Sequence, residues 1–385
     1  GMEVILQFYF PKEINREMIL EVIRYWVYEY HIDGVHLMGE QIPVGILAAD
    51  PMLTDTKLIY YGFPYEEIYP VGQVLDVRNL AECRDEFQYD MRRFLKGDED
   101  TLHQALRRMR CNPVQNGVIN YITSYEGFSL ADLVSYDRKH NEANGEDNQD
   151  GNPYNASWNC GVEGPTRKRT ILQLRKRQMK NALALLLFSQ GTPMLTAGDE
   201  FGQSREGNNN PYCQDNEISW TNWHLDKGRK ELLAFVSKLI HLRLDHPVLH
   251  RRRFFTGREP GDDSNTIPQV EWFDHTGSIM DMDDWQNTHA FSMMIYLNGS
   301  DIPEVDWYGN RMVDNDFILI FNAHYEPIMF TLPDERYGRK WQLVVDTHNP
   351  NEPALSYEAG FMITAQSRSF LMLMSAKKPK KPMGL

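Results

Sequence analysis

Aromatic and hydrogen-bonding side chains alternate in two stretches of the chain, around residues 124–164 and 208–220. Aromatic rings can stack on the faces of a neutral ligand while fixed polar groups take its hydroxyls. The residue types therefore predict a site for a hydroxyl-rich ligand such as a sugar. The candidate binding residues are Tyr125, Glu126, Trp158, Asn208, Asn209, Tyr212, Asp215 and Glu217.

The same residues also suit a purely structural role. Clusters of Asn, Asp and Gly hold long loops together through Asx turns. Trp220, at the end of the second stretch, suits a core position as well as an exposed one. Both roles stay open for each candidate residue.

The pattern from residue 1 to 257 predicts a parallel β/α architecture that would carry these loops. Apolar residues at helical spacing between 14 and 30 predict an amphipathic helix. Strands are predicted at 34–38, 57–61, 80–83, 117–123 and 193–197, with a helix at 171–190. Strands that alternate with helices, with loops at the carboxyl ends of the strands, are typical of a (β/α) barrel.

The pattern changes in the carboxyl part of the chain. Short β-rich runs at 317–321, 328–330, 341–345 and 369–374 are separated by Asn, Gly and Pro. They predict a small antiparallel β-sandwich over 316–376. The Asp-, Gly- and Asn-rich residues 258–315 predict an irregular connecting region, and 377–385 a basic tail.

Charge and cysteine content exclude several classes of partner. The chain of 385 residues has 40 Lys and Arg against 54 Asp and Glu, a net charge of −14, which disfavours nucleic acid and anionic membranes. No run approaches the ~18 apolar residues of a membrane span. The four cysteines are widely spaced without a CxxC pair, so we expect no disulfide scaffold, metal or cofactor, and a reducing cytoplasm.

Three long motifs are similar to one known family. They are Ser124–Leu130 with the residues that follow to 146, Ser157–Gly164, and 190–220 with its run of Asn, Pro, Tyr and Cys. Together they resemble the isoamylase and glycogen-debranching branch of the α-amylase superfamily. By motif order, the chain begins just before the helix that precedes barrel strand four. The resemblance thus implies an incomplete (β/α) TIM-type barrel followed by a small antiparallel β-sandwich.

The resemblance also implies three catalytic carboxylates: a nucleophile, a proton donor and a group that stabilises the oxocarbenium-like transition state. Met38 stands at the position of the nucleophile, Tyr61 at that of the acid, and Glu126 at that of the third carboxylate. A thioether carries no negative charge, and a phenol with a pKa of about 10 is a poor proton donor at neutral pH. No catalytic residue of the family type is therefore expected.

Three interpretations stay open. The first is a degenerate relative of α-1,6-glucan debranching enzymes with little or no hydrolysis, which binds an α-glucan or maltooligosaccharide or regulates a partner. The second is an active glycosidase with relocated groups, such as Tyr61 or Tyr125 beside Glu126. The third is a structural assembly subunit without affinity for sugar.

The incomplete barrel raises a separate question, because open sheet edges invite pairing. The apolar, β-prone run 4–10 predicts an added strand, either within the chain or in a partner. We expect a homo-oligomer or a partner protein to cover any edge that remains.

Overall fold

The computed structural model describes residues 2–69, 79–111, 113, 115–252, 255, 257, 267–306, 308–350 and 355–376. They fall into two compact units. Unit 1 comprises Gly1–Asp85 and Cys111–Asn120, and unit 2 comprises Glu86–Arg110 and Tyr121–Leu385. The predicted basic tail 377–385 and residues 258–266 of the predicted connecting region lie outside the described residues.

Unit 1 is built on a parallel sheet. Its strands pair in the order β1-β2-β3-β4-β5, and each described pairing is parallel. The elements are β1 (Ile5–Phe10), α1 (Arg16–Tyr30), β2 (Gly34–Gly39), α2 (Val44–Ala48), β3 (Lys57–Ile59), α3 (Tyr65–Ile68), β4 (Leu80–Cys83) and β5 (Gly117–Asn120).

The amino-terminal run pairs within the chain, which confirms one of the two predicted alternatives. Along its whole length β1 lies beside β2, from the Ile5–Gly34 pair to the Phe10–Gly39 pair. Gly34 allows β3 to approach, since a Cβ there would lie 2.9 Å from the Lys57 carbonyl oxygen. Pairing of the amino-terminal strand therefore needs no second chain.

Helix α1 begins and packs as its sequence predicts. The Asn15 side chain accepts a hydrogen bond from the Glu17 backbone N–H at 2.9 Å, an N-cap that replaces a missing helical partner. Ile19 and Ile23, one turn apart, are buried in the core of unit 1, and the helix ends at His31 in the left-handed conformation. The spacing of the apolar residues thus fixes which face of α1 covers the sheet.

Unit 2 contains helices and the carboxyl-terminal sheets. Apart from its first residue, Asp85, α4 belongs to this unit. The elements before the sheets are α4 (Asp85–Lys96), α5 (Leu102–Met109), α6 (Leu130–Leu133), α7 (Arg169–Phe188), β6 (Thr192–Pro193) and α8 (Lys227–Asp245). The remaining elements are β7 (Val270–Phe273), α9 (Met282–Gln286), β8 (Ser292–Leu297), β9 (Phe317–Asn322), β10 (Ile328–Thr331), β11 (Lys340–Asp346), β12 (Ser356–Glu358), β13 (Met362–Ala365) and β14 (Ser369–Ser375).

The carboxyl-terminal strands form two antiparallel sheets. One has the order β12-β11-β14-β9-β8-β7, and β10 pairs with β13 in the other. Phe330 of β10 and Ile320 of β9 belong to one apolar cluster, in which the Trp341 ring is fully buried. The predicted fold class, a parallel β/α part consistent with an incomplete barrel and a following antiparallel β-sandwich, is confirmed.

The region 258–315 differs from the expected irregular connection. Its described part contains β7, α9 and β8, and β8 pairs antiparallel with both β7 and β9. All four residues of Val270–Phe273 are buried, so this run is a core strand although Asp- and Gly-rich segments surround it. The antiparallel sheet therefore begins at Val270 rather than near 316.

No described helix meets the requirements of a membrane span. Across the described ranges, none of them combines the length and apolar character that a membrane span requires.

Candidate functional site

The two family positions in unit 1 carry no carboxylate. Met38 lies near the end of β2, and its Sδ accepts a hydrogen bond from the Gln7 side-chain amide at 2.8 Å. Tyr61 follows β3 and is 67% exposed. Burial lowers the pKa of His36, two residues before Met38, so its imidazole is held in the neutral form. These strand ends offer a thioether, a phenol and an imidazole.

A buried carboxylate that sequence analysis missed lies nearby on β4. Glu82 is 5% exposed and forms an ion pair with Arg84 at 2.9 Å. Its other oxygen accepts the Tyr65 hydroxyl at 3.0 Å and the Gly62 backbone N–H at 3.3 Å. Burial and the adjacent Glu82 raise the pKa of Tyr65. Glu82 thus holds the loop that carries Tyr61 in place. In the sequence, the one indication of this buried ion pair was a Glu and an Arg two residues apart at the end of a strand.

The third family position lies on an exposed turn of unit 2. Both Tyr125 and Glu126 are exposed. The Ser124 hydroxyl donates to the Glu126 carbonyl at 2.6 Å, and the Gly127 N–H donates to the Asn209 carbonyl at 2.9 Å. Gly127 has φ +105°, a left-handed conformation that favours glycine. The turn presents the Glu126 carboxylate to solvent, while its backbone is hydrogen-bonded to the motif at 190–220.

Asn208 and Asn209 hold the loops together. Each is 1% exposed. The Asn209 amide donates to the Asn152 carbonyl at 2.8 Å and accepts from the Asn141 amide at 2.9 Å. The Asn208 amide donates to the Asn144 side chain at 2.8 Å. These contacts match the structural role left open above, and the two buried side chains are engaged by protein groups rather than facing solvent.

Trp158 is also packed against protein. The Arg368 guanidinium lies 4.4 Å above the Trp158 ring, and the Trp158 backbone N–H donates to the Leu133 carbonyl at 3.0 Å. The ring is partly buried. One face of this candidate stacking platform is therefore already covered.

Arg175 of α7 donates hydrogen bonds to the backbone of the loop that contains Trp158. This arginine is 6% exposed and donates to the carbonyls of Gly164 at 2.8 Å, Asn159 at 3.0 Å and Ser135 at 3.3 Å, and also to that of Val162. One guanidinium thus satisfies four carbonyls of two loops. The sequence did not predict this role, because Arg175 lies within the apolar helical pattern at 171–190 and its partners are on other loops.

The remaining candidates form an exposed polar and aromatic surface. Tyr212 is 67% exposed, and its hydroxyl donates to the Glu146 carboxylate, which raises the pKa of Tyr212 to about 12. The indole N–H of Trp220 donates to Asp215 at 2.9 Å, and this ring is 55% exposed rather than in the core. Glu217, which lies between Tyr212 and Trp220 in the sequence, is also exposed. Rings and carboxylates are thus available together on loops that the buried amides hold.

Two buried carboxylates accept hydrogen bonds from these loops. The sequence analysis had assigned neither of them a role. Asp132 accepts from the Ser204 hydroxyl at 2.5 Å, and burial raises its pKa. Asp199 accepts from the Leu130 N–H at 2.8 Å and from the Thr123 hydroxyl, and burial raises the pKa of Asp199 to about 6. Both lie within the matched motifs, but their burial could not be seen in a linear pattern.

The two positions in unit 1 lack the carboxyl groups on which glycosidases depend. Retaining and inverting glycosidases both need a pair of carboxyl groups, and Met38 and Tyr61 supply neither member. Within the described part of the chain, no group of three or more His, Cys, Asp or Glu side chains could hold a metal ion.

Comparison with known proteins gives a consistent result. The family model described as Isoamylase, C-terminal, matches residues 269–363. The glycogen operon protein GlgX homolog of Mycobacterium tuberculosis (strain ATCC 25618 / H37Rv) is 38% identical over 93% of this chain and 52% of its own length. Isoamylase 3, chloroplastic, of Oryza sativa subsp. japonica is 34% identical over 88% of this chain and 43% of its own. The chain spans about half the length of the curated relatives it matches.

Solved structures extend the likeness of the fold. A pullulanase type I from Bacillus subtilis str. 168, complexed with maltose, matches with a TM-score of 0.61 at 17% identity, over 94% of this chain and 46% of the pullulanase. A pullulanase from Bacillus acidopullulyticus matches with a TM-score of 0.59.

Proposed function

Because the chain is a relative of the isoamylase and glycogen-debranching branch of the α-amylase superfamily, we propose that it binds α-glucans and hydrolyses them little or not at all. The observation that carries this proposal is the pair Met38 and Tyr61 at the positions of nucleophile and acid. Neither side chain supplies the negative charge or the proton that cleavage of a glucosidic bond requires.

The expected loss of hydrolysis rate supports inactivity. Loss of general acid catalysis alone lowers a rate by about 10² to 10⁴-fold. The sulfur of Met38 accepts a hydrogen bond from Gln7 and carries no charge. Loss of the nucleophile in addition leaves little rate above background.

Binding is supported by the exposed surface of unit 2. Tyr212 and Trp220 offer ring faces, while Asp215, Glu217 and Glu126 offer hydroxyl acceptors. Preformed loops lower the ordering cost of binding. The pullulanase relative was solved with maltose, which supports a maltooligosaccharide as the ligand class.

Release of reducing ends from glycogen and pullulan tests the loss of hydrolysis. We expect no release above the buffer blank by purified protein. The alternative, an active glycosidase with relocated groups, rests on Tyr125 beside the exposed Glu126. Turnover that disappears in Glu126→Gln would establish that alternative and contradict the proposal.

Calorimetry with maltoheptaose tests binding. We expect a saturable heat, weakened about fivefold by Tyr212→Ala because a ring contact is worth roughly 1 kcal/mol. Tyr308→Ala is a matched control, since Tyr308 is 91% exposed and lies outside the two motifs. A flat titration at millimolar sugar would exclude binding and favour the structural assembly subunit.

A partner is part of the proposal. Strand β1 is terminal in the parallel sheet of unit 1, and Tyr9 on it is 73% exposed. Because a bare edge invites pairing, we propose that a second copy or a partner protein covers it. A strictly monomeric protein at micromolar concentration in sedimentation would count against the second copy.

We also propose a setting without nucleic acid or membrane partners. The net charge of −14 disfavours both polyanions and anionic lipid. All four cysteines are free thiols, which supports a reducing compartment such as the cytoplasm.

A further inference from the structure

A cavity of about 500 Å³ lies between α7 and the first turns of α8 in unit 2. None of the candidate glycan-binding residues lines it. Its wall consists of one face of α7, the turn at Phe201 and Gly202, and the start of α8. Its lining includes Lys176, Lys180, Phe201, Asp226, Arg229 and Glu231.

Cations outnumber acids in this cavity, although the whole chain is acidic. Lys176 and Lys180 lie one turn apart on α7, and Arg229 of α8 lines the same cavity, where its guanidinium also donates to the Asn222 carbonyl at 3.1 Å. Among the described residues, no ion pair involves any of these three side chains. Like charges one helical turn apart destabilise a helix. Four cationic side chains against two carboxylates leave an excess of positive charge around the cavity, which favours an anionic ligand.

The two acids of the cavity balance only part of its positive charge. The Asp226 carboxylate caps α8 by accepting the Arg229 backbone N–H at 2.8 Å. Glu231 pairs with Lys227 at 4.0 Å on the exposed side. Lys180 is partly buried, and burial lowers its pKa; the charge of Glu231 opposes this shift, and that of Lys176 adds to it. A desolvated lysine beside a second cation gains most from an anion.

An apolar surface adjoins the cations. The Arg229 guanidinium lies 5.9 Å from the centroid of the Phe201 ring. The Trp223 ring lies 6.1 Å from Phe201 and is 77% exposed. Such an exposed indole beside a charged cavity is suited to stack on the ring of a ligand whose charged end lies deeper.

We propose that this cavity binds a phosphorylated hexose, with its phosphate on Lys176, Lys180 and Arg229 and its sugar ring against Trp223. A phosphate has several strong acceptor oxygens, so it can meet cations from two helices at once. A volume of about 500 Å³ suits a small ligand and excludes a folded nucleic acid. The site is separate from the proposed glucan surface, so either can fail alone.

The test is calorimetry on the full chain at fixed ionic strength, with glucose 1-phosphate, inorganic phosphate and glucose as probes. The double variant Lys176→Gln/Lys180→Gln should weaken glucose 1-phosphate at least about tenfold, because it removes two charge-assisted contacts. Lys230→Gln is the matched control, since Lys230 is exposed on the same turns of α8 but does not line the cavity. The control should bind within about twofold of wild type.

The sugar contact has its own variant. Trp223→Ala should weaken glucose 1-phosphate and leave inorganic phosphate unchanged. Equal affinity for both probes, with no effect of Trp223→Ala, would overturn the assignment of a sugar ester. Absence of saturation by either phosphate at millimolar concentration, or equal weakening by Lys230→Gln, would overturn the site itself.

Folding of the double variant is checked by its melting temperature without ligand. We expect no decrease, because the two lysines repel each other and form no ion pair with described residues. Glucose 1-phosphate should raise the melting temperature of wild type and of Lys230→Gln but not that of the double variant. A ligand-induced rise in the double variant equal to that of wild type would contradict the proposal.

Discussion

The strand ends of unit 1 and the motif loops of unit 2 differ in how their polar groups are used. At the former, Met38 and the exposed Tyr61 stand where the resemblance implies catalytic groups, and neither is a carboxylate. In unit 2, by contrast, buried amides, guanidinium groups and carboxylates bond the loops to one another, as Asn209 does with Asn141 and Asn152. A loop that is held by its own buried hydrogen bonds does not need catalytic groups to keep its shape. Family-like loops can thus keep their shape in a chain whose Met38 and Tyr61 bring no carboxylate.

The largest effect that would sharpen this contrast is expected for Arg175→Met in unit 2. Its guanidinium is buried and donates to four carbonyls, including those of Gly164 and Asn159. Methionine keeps much of the volume but removes the guanidinium from all four, and among the described residues only the Ser135 and Asn159 carbonyls keep a backbone N–H donor. We expect the free energy of unfolding to fall by about 3 to 5 kcal/mol, measured by urea unfolding.

Arg169→Met provides the control for this change, because Arg169 begins α7 and is exposed. Its cost should stay within about 0.5 kcal/mol. If Arg175→Met costs no more than the control, the motif loops do not depend on this buried donor and the contrast between the units weakens.

A smaller, pH-dependent effect is expected for Asp199→Asn. Burial raises the pKa of Asp199 to about 6, above the ordinary value of 3.8. The folded state therefore binds the proton more tightly, and the stabilisation present below about pH 4 is lost as the pH rises through 6. Asparagine resembles the protonated form, since it can accept from Leu130 and donate to Thr123.

The variant should therefore gain stability relative to wild type between pH 4 and pH 7, by up to about 3 kcal/mol. Urea unfolding at several pH values measures this difference, and Asp215→Asn, at an exposed carboxylate, is the control. A difference between Asp199→Asn and wild type that does not change with pH would contradict a strained, buried carboxylate beneath the loops.

Asn209→Ala tests the amide contacts themselves. The change removes donors to Asn152 and Asn155 and takes one acceptor from the Asn141 amide, which keeps its contacts to Asp150. We expect a loss of about 2 kcal/mol in the free energy of unfolding. Glu217→Ala, on an exposed part of the same motif, should change it by less than about 0.5 kcal/mol, and a cost for Asn209→Ala equally small would argue against the structural role.

The sequence predicted elements with a regular apolar period well. Strand β4 has the predicted limits Leu80–Cys83, and the helix predicted at 171–190 is α7, Arg169–Phe188. Strand β7 was missed because its four buried residues lie among Asp- and Gly-rich segments and are too few to show a period. Local pattern thus identifies an element where repeated side chains share one face, and fails where burial comes from partners distant in sequence.

The candidate site was predictable in composition but not in geometry. Tyr212 and Glu217 are exposed as a binding surface requires, whereas Asn209 is buried. An Asn side chain has the same hydrogen-bonding groups in both roles, so its partners decide, and Asn141 is 68 residues away in sequence. The supporting groups Arg175 and Asp199 escaped notice for the same reason, since their partners are backbone groups of other loops.

The smallest effect is expected in unit 1, for Tyr61→Ala. The Tyr61 side chain is 67% exposed, and the loop around it is tied down through Gly62 and Tyr65, which both donate to Glu82. The substitution removes little buried area, so the free energy of unfolding should change by less than about 0.5 kcal/mol. Tyr65→Phe is the comparison within the same loop: it deletes the hydroxyl that meets Glu82 and should cost about 1 kcal/mol or more. Urea unfolding followed by circular dichroism measures both. If Tyr61→Ala lowers the free energy of unfolding more than Tyr65→Phe does, the Tyr61 side chain has a structural role. The loops of the two units would then be stabilised in the same way.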